Sequence, residues 1–380
     1  LDLHGDGIRD GDLFVTNDGV PNFLFRNVDG TRFEEAGLLA GVALPAFGRP
    51  VSSMGVAVHD VTADGRPDLL VTALKGETFP LYVNDGQLLF HDATHQAKLA
   101  GPSSMRSGWG VVLADLDNDG RADVASANSH VNDLIDQFEA SSYKEANAIL
   151  LNRGSTFEDV TAQAGTGLKG AIAAHRGLVA ADLDNDGRLD LVTTSLGGPV
   201  ELWKHAGPAG HWLAIRLRGR VSNRDGLGAI VTVDGRAHGI TSAVGYASSV
   251  VAPLHVGLGA STTPPTIVVR WPSGRTQTIT APGVDQLVEI TEPEGCWRPP
   301  RSEWRWPAPR PADASGTRPA VPSRARGCRS AAGPARAGSA GCRRHRWAAP
   351  SRGAAPRPPH HPPAATPGPV PRGPAPGTGR

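Results

Sequence analysis

Asp115-Leu116-Asp117-Asn118-Asp119-Gly120-Arg121-Ala122-Asp123-Val124 places four carboxylates in nine residues, with glycine at the sixth position. The same pattern returns at Asp182-Leu183-Asp184-Asn185-Asp186-Gly187-Arg188-Leu189-Asp190-Leu191. A variant begins at Asp60 and runs through Thr62, Asp64, Gly65 and Arg66 to Asp68. A fourth opens the chain with Asp2, His4, Asp6, Gly7 and Asp10, and carries two extra residues before Leu13. The blocks start at 2, 60, 115 and 182, so the unit recurs every 55 to 67 residues. That is the length of one four-stranded propeller blade with generous loops.

The flanks repeat as well. Short apolar runs precede three of the loops: Gly55–Val58, Gly110–Ala114 and Gly177–Ala181. A β-rich run follows each loop, at Leu13–Thr16, Leu69–Thr72, Val124–Ser126 and Leu191–Thr194. A second strand pair comes next, around Asn22–Asn27 with Phe33, Leu81–Asn84 with Phe90, and Ile149–Asn152 with Phe157. Asp29-Gly30, Asp85-Gly86 and Arg153-Gly154 supply their hairpin turns. The last copy stops at Glu201-Leu202-Trp203-Lys204. Each unit reads as strand, acidic loop, strand, linker, hairpin.

Clustered carboxylates repel unless a cation sits among them. Asp at positions 1, 3, 5 and 9 and the position-7 carbonyl surround one point with hard oxygens, a set that suits Ca²⁺. The first six positions match the helix–loop–helix calcium loop, but the flanks here are strands and the ending is Asp at 9. The expected ligands are Asp115, Asp117, Asp119, the Arg121 carbonyl and Asp123 in one loop. In the next they are Asp182, Asp184, Asp186, the Arg188 carbonyl and Asp190. In the variant they are Asp60, Thr62, Asp64, the Arg66 carbonyl and Asp68. Asp2, Asp6 and Asp10 form the weakest set, and Thr62 weakens the Asp60 set. An Asp-Gly turn between strands explains one such loop as readily as a metal does; two near-identical loops in register favour the metal.

These loops between short strands resemble the FG-GAP/VCBS repeats of integrin α-chain-type β-propellers, over residues 1 to about 205. The resemblance implies blades with calcium in the hairpin loops of some of them. The family builds seven; four are visible here, which with the start at Leu1 implies a fragment lacking N-terminal blades.

From His211 the pattern changes to a small all-β domain, with strands expected at 212–217, 229–233, 254–256, 266–271 and 286–290. His211-Trp212-Leu213, Ser222–Ala229, His255–Gly259 and Val269–Gly274 resemble, in order, the ASPIC/UnbV domain of cartilage-acidic-protein-like proteins. No catalytic residues come with that resemblance. The Ser222–Gly228 loop reads as a tight turn with an internal Arg–Asp pair, Trp212 and Trp271 as core, and His175 and His255 as structural. The expected fold is all-β: a partial β-propeller of four blade-type repeats (1–205), a small β-sandwich or barrel (206–293), and a disordered tail (294–380).

Formal charge is +1, yet residues 296–380 hold 16 arginines, no lysine and two acids, leaving residues 1–295 at −13. This tail holds 19 of 33 prolines, all three cysteines, and no Leu, Ile, Phe or Met, so it cannot bury a core. It reads as a basic arm, a disordered extension or, preferably, out-of-frame translation of GC-rich DNA. The acidic body makes nucleic acid an unlikely partner. No apolar run reaches 18 residues, so no membrane span is expected.

G-x-S-x-G, H-E-x-x-H, P-loop and CxxC patterns are absent. The function expected is therefore a Ca²⁺-binding extracytoplasmic module, secreted, periplasmic or cell-surface, that binds or adheres to a protein or glycan, and not an enzyme. The alternative is a propeller-scaffold lyase or hydrolase with a loop-borne site, for instance Asn128–Ala148 with His130, Asp133, Asp136 and Glu139. That segment is expected to be an inserted surface loop with some helix.

Overall fold

A computed structural model describes residue 3 and residues 11–28 and 30–294. Four antiparallel blade sheets follow one another along the chain. The first holds β1 (Leu13–Val15), β2 (Phe23–Val28) and β3 (Arg32–Glu35). The second holds β4 (Val56–His59), β5 (Asp68–Val71), β6 (Leu81–Gly86) and β7 (Leu89–Asp92). The third holds β8 (Gly108–Ala114), β9 (Asp123–Asn128), β10 (Ala148–Asn152) and β11 (Phe157–Asp159). The fourth holds β12 (His175–Ala181), β13 (Asp190–Ser195) and β14 (Glu201–Trp203). In each four-stranded sheet sequence neighbours pair in order, as the repeat requires.

Period-two alternation stacks the sheets face to face. On β5, Leu69 and Val71 join Leu24 and Tyr82 between the first two blades, while Leu70 joins Val111 and Leu150 between the second and third. On β9, Val124 joins that second cluster, and Ala125 and Ala127 pack with Leu178 and Leu191 between the third and fourth. Each strand thus feeds two cores. The outer faces of the first and last blades leave Leu13, Phe23, Phe33, Val200 and Leu202 exposed, as suits a partial propeller.

The glycines at the inner strands of the second and third blades have a shared cause. A Cβ on Gly55 would lie 2.0 Å from the Trp109 carbonyl oxygen, and one on Gly110 would lie 2.7 Å from that of Arg176. A neighbouring blade's backbone leaves no room for a side chain there. A second tie recurs at the end of the third strand. Asn84 Nδ2 donates to Leu3 O at 3.0 Å, and Asn152 Nδ2 to Val61 O at 3.3 Å. Both acceptors occupy the second position of the preceding acidic loop, so each loop is bonded to the next blade.

Two further sheets follow. β15 (His211–Arg218), β20 (Leu254–Gly259) and β23 (Gln286–Thr291) form one, with β15 and β23 parallel. β16 (Ile230–Val233), β17 (Arg236–Gly239), β21 (Thr266–Arg270) and β22 (Thr276–Thr280) form the other, and β18 (Ala243–Val244) pairs with β19 (Ser248–Ser249). Leu213, Ile215, Leu217, Val231, Ile267, Val269 and Trp271 make a single core between the two larger sheets. This is a sandwich; no closed barrel forms among the described residues. The strands β17, β18, β19 and β22 escaped the sequence reading, because β18 and β19 are two residues long and β17 and β22 are mostly polar. The described residues of the blades and sandwich share one compact unit. The tail from residue 295 lies outside the described residues.

Candidate metal loops and their surroundings

Each acidic loop leaves an inner strand and enters the next, and its polar groups are used in a repeated way. The position-1 carboxylate accepts two loop amides. In the Asp115 loop Asp119 N donates to Oδ1 at 3.0 Å and Gly120 N to Oδ2 at 2.7 Å. Asp182 and Asp60 do the same for Asp186 and Gly187, and for Asp64 and Gly65. The position-5 carboxylate takes the amide of the following arginine and pairs with its guanidinium, in Asp64–Arg66, Asp119–Arg121 and Asp186–Arg188. Each arginine Nε also reaches a strand-end carbonyl, of Asn84, Asn152 or His205.

The position-9 carboxylate is a structural staple. Asp123, fully buried, accepts Leu116 N at 2.8 Å and Asn152 N at 2.7 Å. Asp68 does this for Val61 and Asn84, and Asp190 for Leu183 and His205. In the first blade the role falls to Asp12, which accepts Leu3 N at 2.9 Å and Asn27 N at 3.0 Å. Asp12 was missed in the sequence because the longer first loop shifts the register by two. Asp2, Asp6 and Asp10 lie outside the described residues.

Among the described residues two loops bring three carboxylates together. Oxygens of Asp115, Asp117 and Asp123 lie within 4.8 Å of one another, as do those of Asp182, Asp184 and Asp186. Asp119 is turned to Arg121 and Asp190 to its amides. Asp60, Thr62, Asp64 and Asp68 do not form such a trio, in keeping with the neutral Thr62. The two trios differ in what balances them. In the Asp182 loop, Lys204 Nζ pairs with Asp184 and stands 3.4 Å from Asp186 Oδ2. In the Asp115 loop, Arg153 Nη1 meets Asp117 Oδ2 at 3.1 Å, but Asp117 Oδ1 is buried with no hydrogen-bond partner. Burial, aided by repulsion from its neighbours, pushes Asp115 up to about 7 and Asp123 up to about 8. Asp119 is raised for the same reasons. Lys204, in contrast, holds Asp184 below the usual carboxylate range. The Asp115 loop therefore has oxygens in excess of the cations the chain supplies, and hard oxygens with an orphan among them fit Ca²⁺.

The remaining sequence readings fall as follows. His175 is fully buried, with Nε2 at 2.8 Å from Glu201 Oε2 and Nδ1 at 3.1 Å from Glu145 O, a structural role. Arg224 and Asp225 pair at 3.0 Å within their loop. Trp271 is core, whereas Trp212 is half-buried and stacks on His255, ring centroids 6.0 Å apart, beside the Asp182 loop. The Asn128–Ala148 segment carries one short 3₁₀ turn, Ile135–Gln137, and leaves Asp133, Asp136 and Glu139 exposed. Glu292 was missed altogether. Its Oε2 accepts the amides of Arg220, Val221 and Ser222, and its Oε1 accepts the hydroxyls of Ser222 and Ser273.

The family described as ASPIC and UnbV matches residues 219–296, and the FG-GAP-like repeat matches residues 133–193. Mouse cartilage acidic protein 1 is 28% identical over 304 residues, which is 74% of this chain and 43% of that protein. The human protein is 28% identical over 303 residues, 74% and 42% respectively. The chain spans less than half the length of these relatives. The V. cholerae biofilm matrix protein Bap1 superposes over 74% of this chain and 58% of its own at 14% identity, with a TM-score of 0.27, too low to inform the fold. The chain combines an FG-GAP-like repeat with an ASPIC/UnbV domain and is homologous to cartilage acidic protein 1, which has the same domain types.

Proposed function

We propose that this chain is a calcium-binding, extracellular binding or adhesion module, in which Ca²⁺ stabilises the blades and the exposed loops meet a protein or glycan. The observation that carries the calcium reading is the Asp115 loop, where three carboxylates converge and Asp117 Oδ1 is buried without a partner. Asp115, Asp117 and Asp123 would hold the ion, which would supply the positive charge their packing lacks. The Asp182 trio takes Ca²⁺ more weakly, because Lys204 must leave first. Outside the cell, Ca²⁺ is abundant enough to fill sites of modest affinity. The homology with cartilage acidic protein 1 supports the same placement.

A thermal melt of the full chain in Ca²⁺ and in chelator tests this reading. Ligand binding to the native state alone adds about 2.7 kcal/mol when the ion is at 100 times its Kd, so the midpoint rises by several degrees in Ca²⁺. Equal midpoints in the two buffers would count against it.

A further inference from the structure

The ASPIC/UnbV segments that match in sequence lie directly against the acidic loops. The fourth loop position has the left-handed conformation in three blades, with φ of 60° at Ala63, 59° at Asn118 and 60° at Asn185. Ala63 and Asn185 are exposed, whereas Asn118 is fully buried. Its Nδ2 donates to Gly187 O at 2.8 Å and Gly210 O at 3.2 Å, and its Oδ1 meets His255 Nε2 at 2.7 Å. Its own carbonyl accepts Gly259 N at 2.8 Å, and the Asp117 carbonyl accepts Gly210 N at 3.0 Å. The Arg236 guanidinium donates to the Gly120 carbonyl.

Packing is as tight as the bonding. A Cβ on Gly257 would lie 1.9 Å from Asp115 Oδ2, and one on Gly210 would lie 2.5 Å from Asn118 O. A Cβ on Gly187 would strike Trp212. His211-Trp212 and His255–Gly259, in which the sequence reading took Trp212 as core and His255 as structural, thus line a socket. The socket grips the backbone of the loop whose carboxylates converge, and Gly257 leaves room for the Asp115 carboxylate itself.

We propose that the ASPIC/UnbV domain is a receptor for the Asp115 loop, and that seating the loop in the His255–Gly259 socket and binding a divalent cation in the loop strengthen each other. The socket bonds fix positions 3, 4 and 6 of the loop, which are the turns that aim its carboxylates inward. The cation fixes the same turns from the other side. Each event removes conformational freedom that the other would have to remove, so the coupling is reciprocal. The socket stands on the contacts alone; the coupling rests on the calcium reading above.

The test uses the full chain. Asn118→Gly keeps the left-handed turn at no steric cost and deletes the amide contacts. Asn185→Gly makes the same change at the exposed position of the neighbouring loop. Calorimetric titration of Ca²⁺ is expected to show the tightest site weakened about tenfold by Asn118→Gly and unaltered by Asn185→Gly. His255→Ala repeats the loss without touching the loop. Hydrogen exchange is expected to quicken at residues 254–259 when the wild type is stripped with chelator, while Ile267 and Val269 in the sandwich core stay protected. Wild-type affinity in both Asn118→Gly and His255→Ala, or equal exchange at 254–259 with and without Ca²⁺, overturns the coupling while leaving the calcium reading intact. A chain that takes up no Ca²⁺ at all overturns both.

Discussion

Asp123→Ala should cost about 3 kcal/mol of folding stability, even with every divalent cation removed. The carboxylate is fully buried and serves two amides from different elements, Leu116 at the loop start and Asn152 at the end of β10. Alanine would leave both donors buried and unsatisfied, and each such group costs about 1–3 kcal/mol. Asp123→Asn should fall between the two, since its one carbonyl oxygen can serve only one of the amides. Urea unfolding in chelator measures the loss. An unchanged midpoint for Asp123→Ala in chelator would mean that the carboxylate acts only through a bound ion. A larger loss in Ca²⁺ than in chelator would show both roles at once.

Glu292→Ala should be comparably severe, about 3 kcal/mol. Glu292 is buried at the end of the last strand, and its two oxygens gather three consecutive amides and two serine hydroxyls. Burial alone would raise its pKa; the hydrogen bonds outweigh it and hold the group at about 2. An ordinary glutamate titrates near 4.3, so the unfolded chain binds its proton first. The stability from Glu292 is therefore fully present above about pH 4.5 and is lost as pH falls toward 2. The gap between wild type and Glu292→Ala should close over that window. A gap that stays constant down to pH 2 would show that lost packing, not the carboxylate, explains the mutant.

The contrast between these two residues shows what a sequence reveals. The blades were legible because their cause is local and repeated: Gly55 and Gly110 open the inner strands, and the Asp-Gly loops join them. The convergence at Asp115, Asp117 and Asp123 was legible for the same reason. The division of labour inside the loop was not. Position 9 looks like another ligand, yet Asp68, Asp123 and Asp190 all spend both oxygens on amides, and only Asp123 also joins a trio. The cations that distinguish the loops, Arg153 and Lys204, come from the following hairpin or strand end, where nothing local marks them. Glu292 has its amide partners about 70 residues away in the Arg220–Ser222 turn, a distance at which no periodicity speaks. Asn118 and Asn185 are identical in type and setting, and only the fold separates a buried plug from an exposed turn.

Enclosure of a divalent cation is the role proposed for the Asp115 loop. Its most direct test is calorimetric titration of Ca²⁺ into the chelator-stripped full chain, alongside Asp117→Asn, which alters the orphaned oxygen. Saturable heat is expected in the wild type, and loss of the tightest site in the variant. No heat, or a variant that binds as the wild type does, would contradict it.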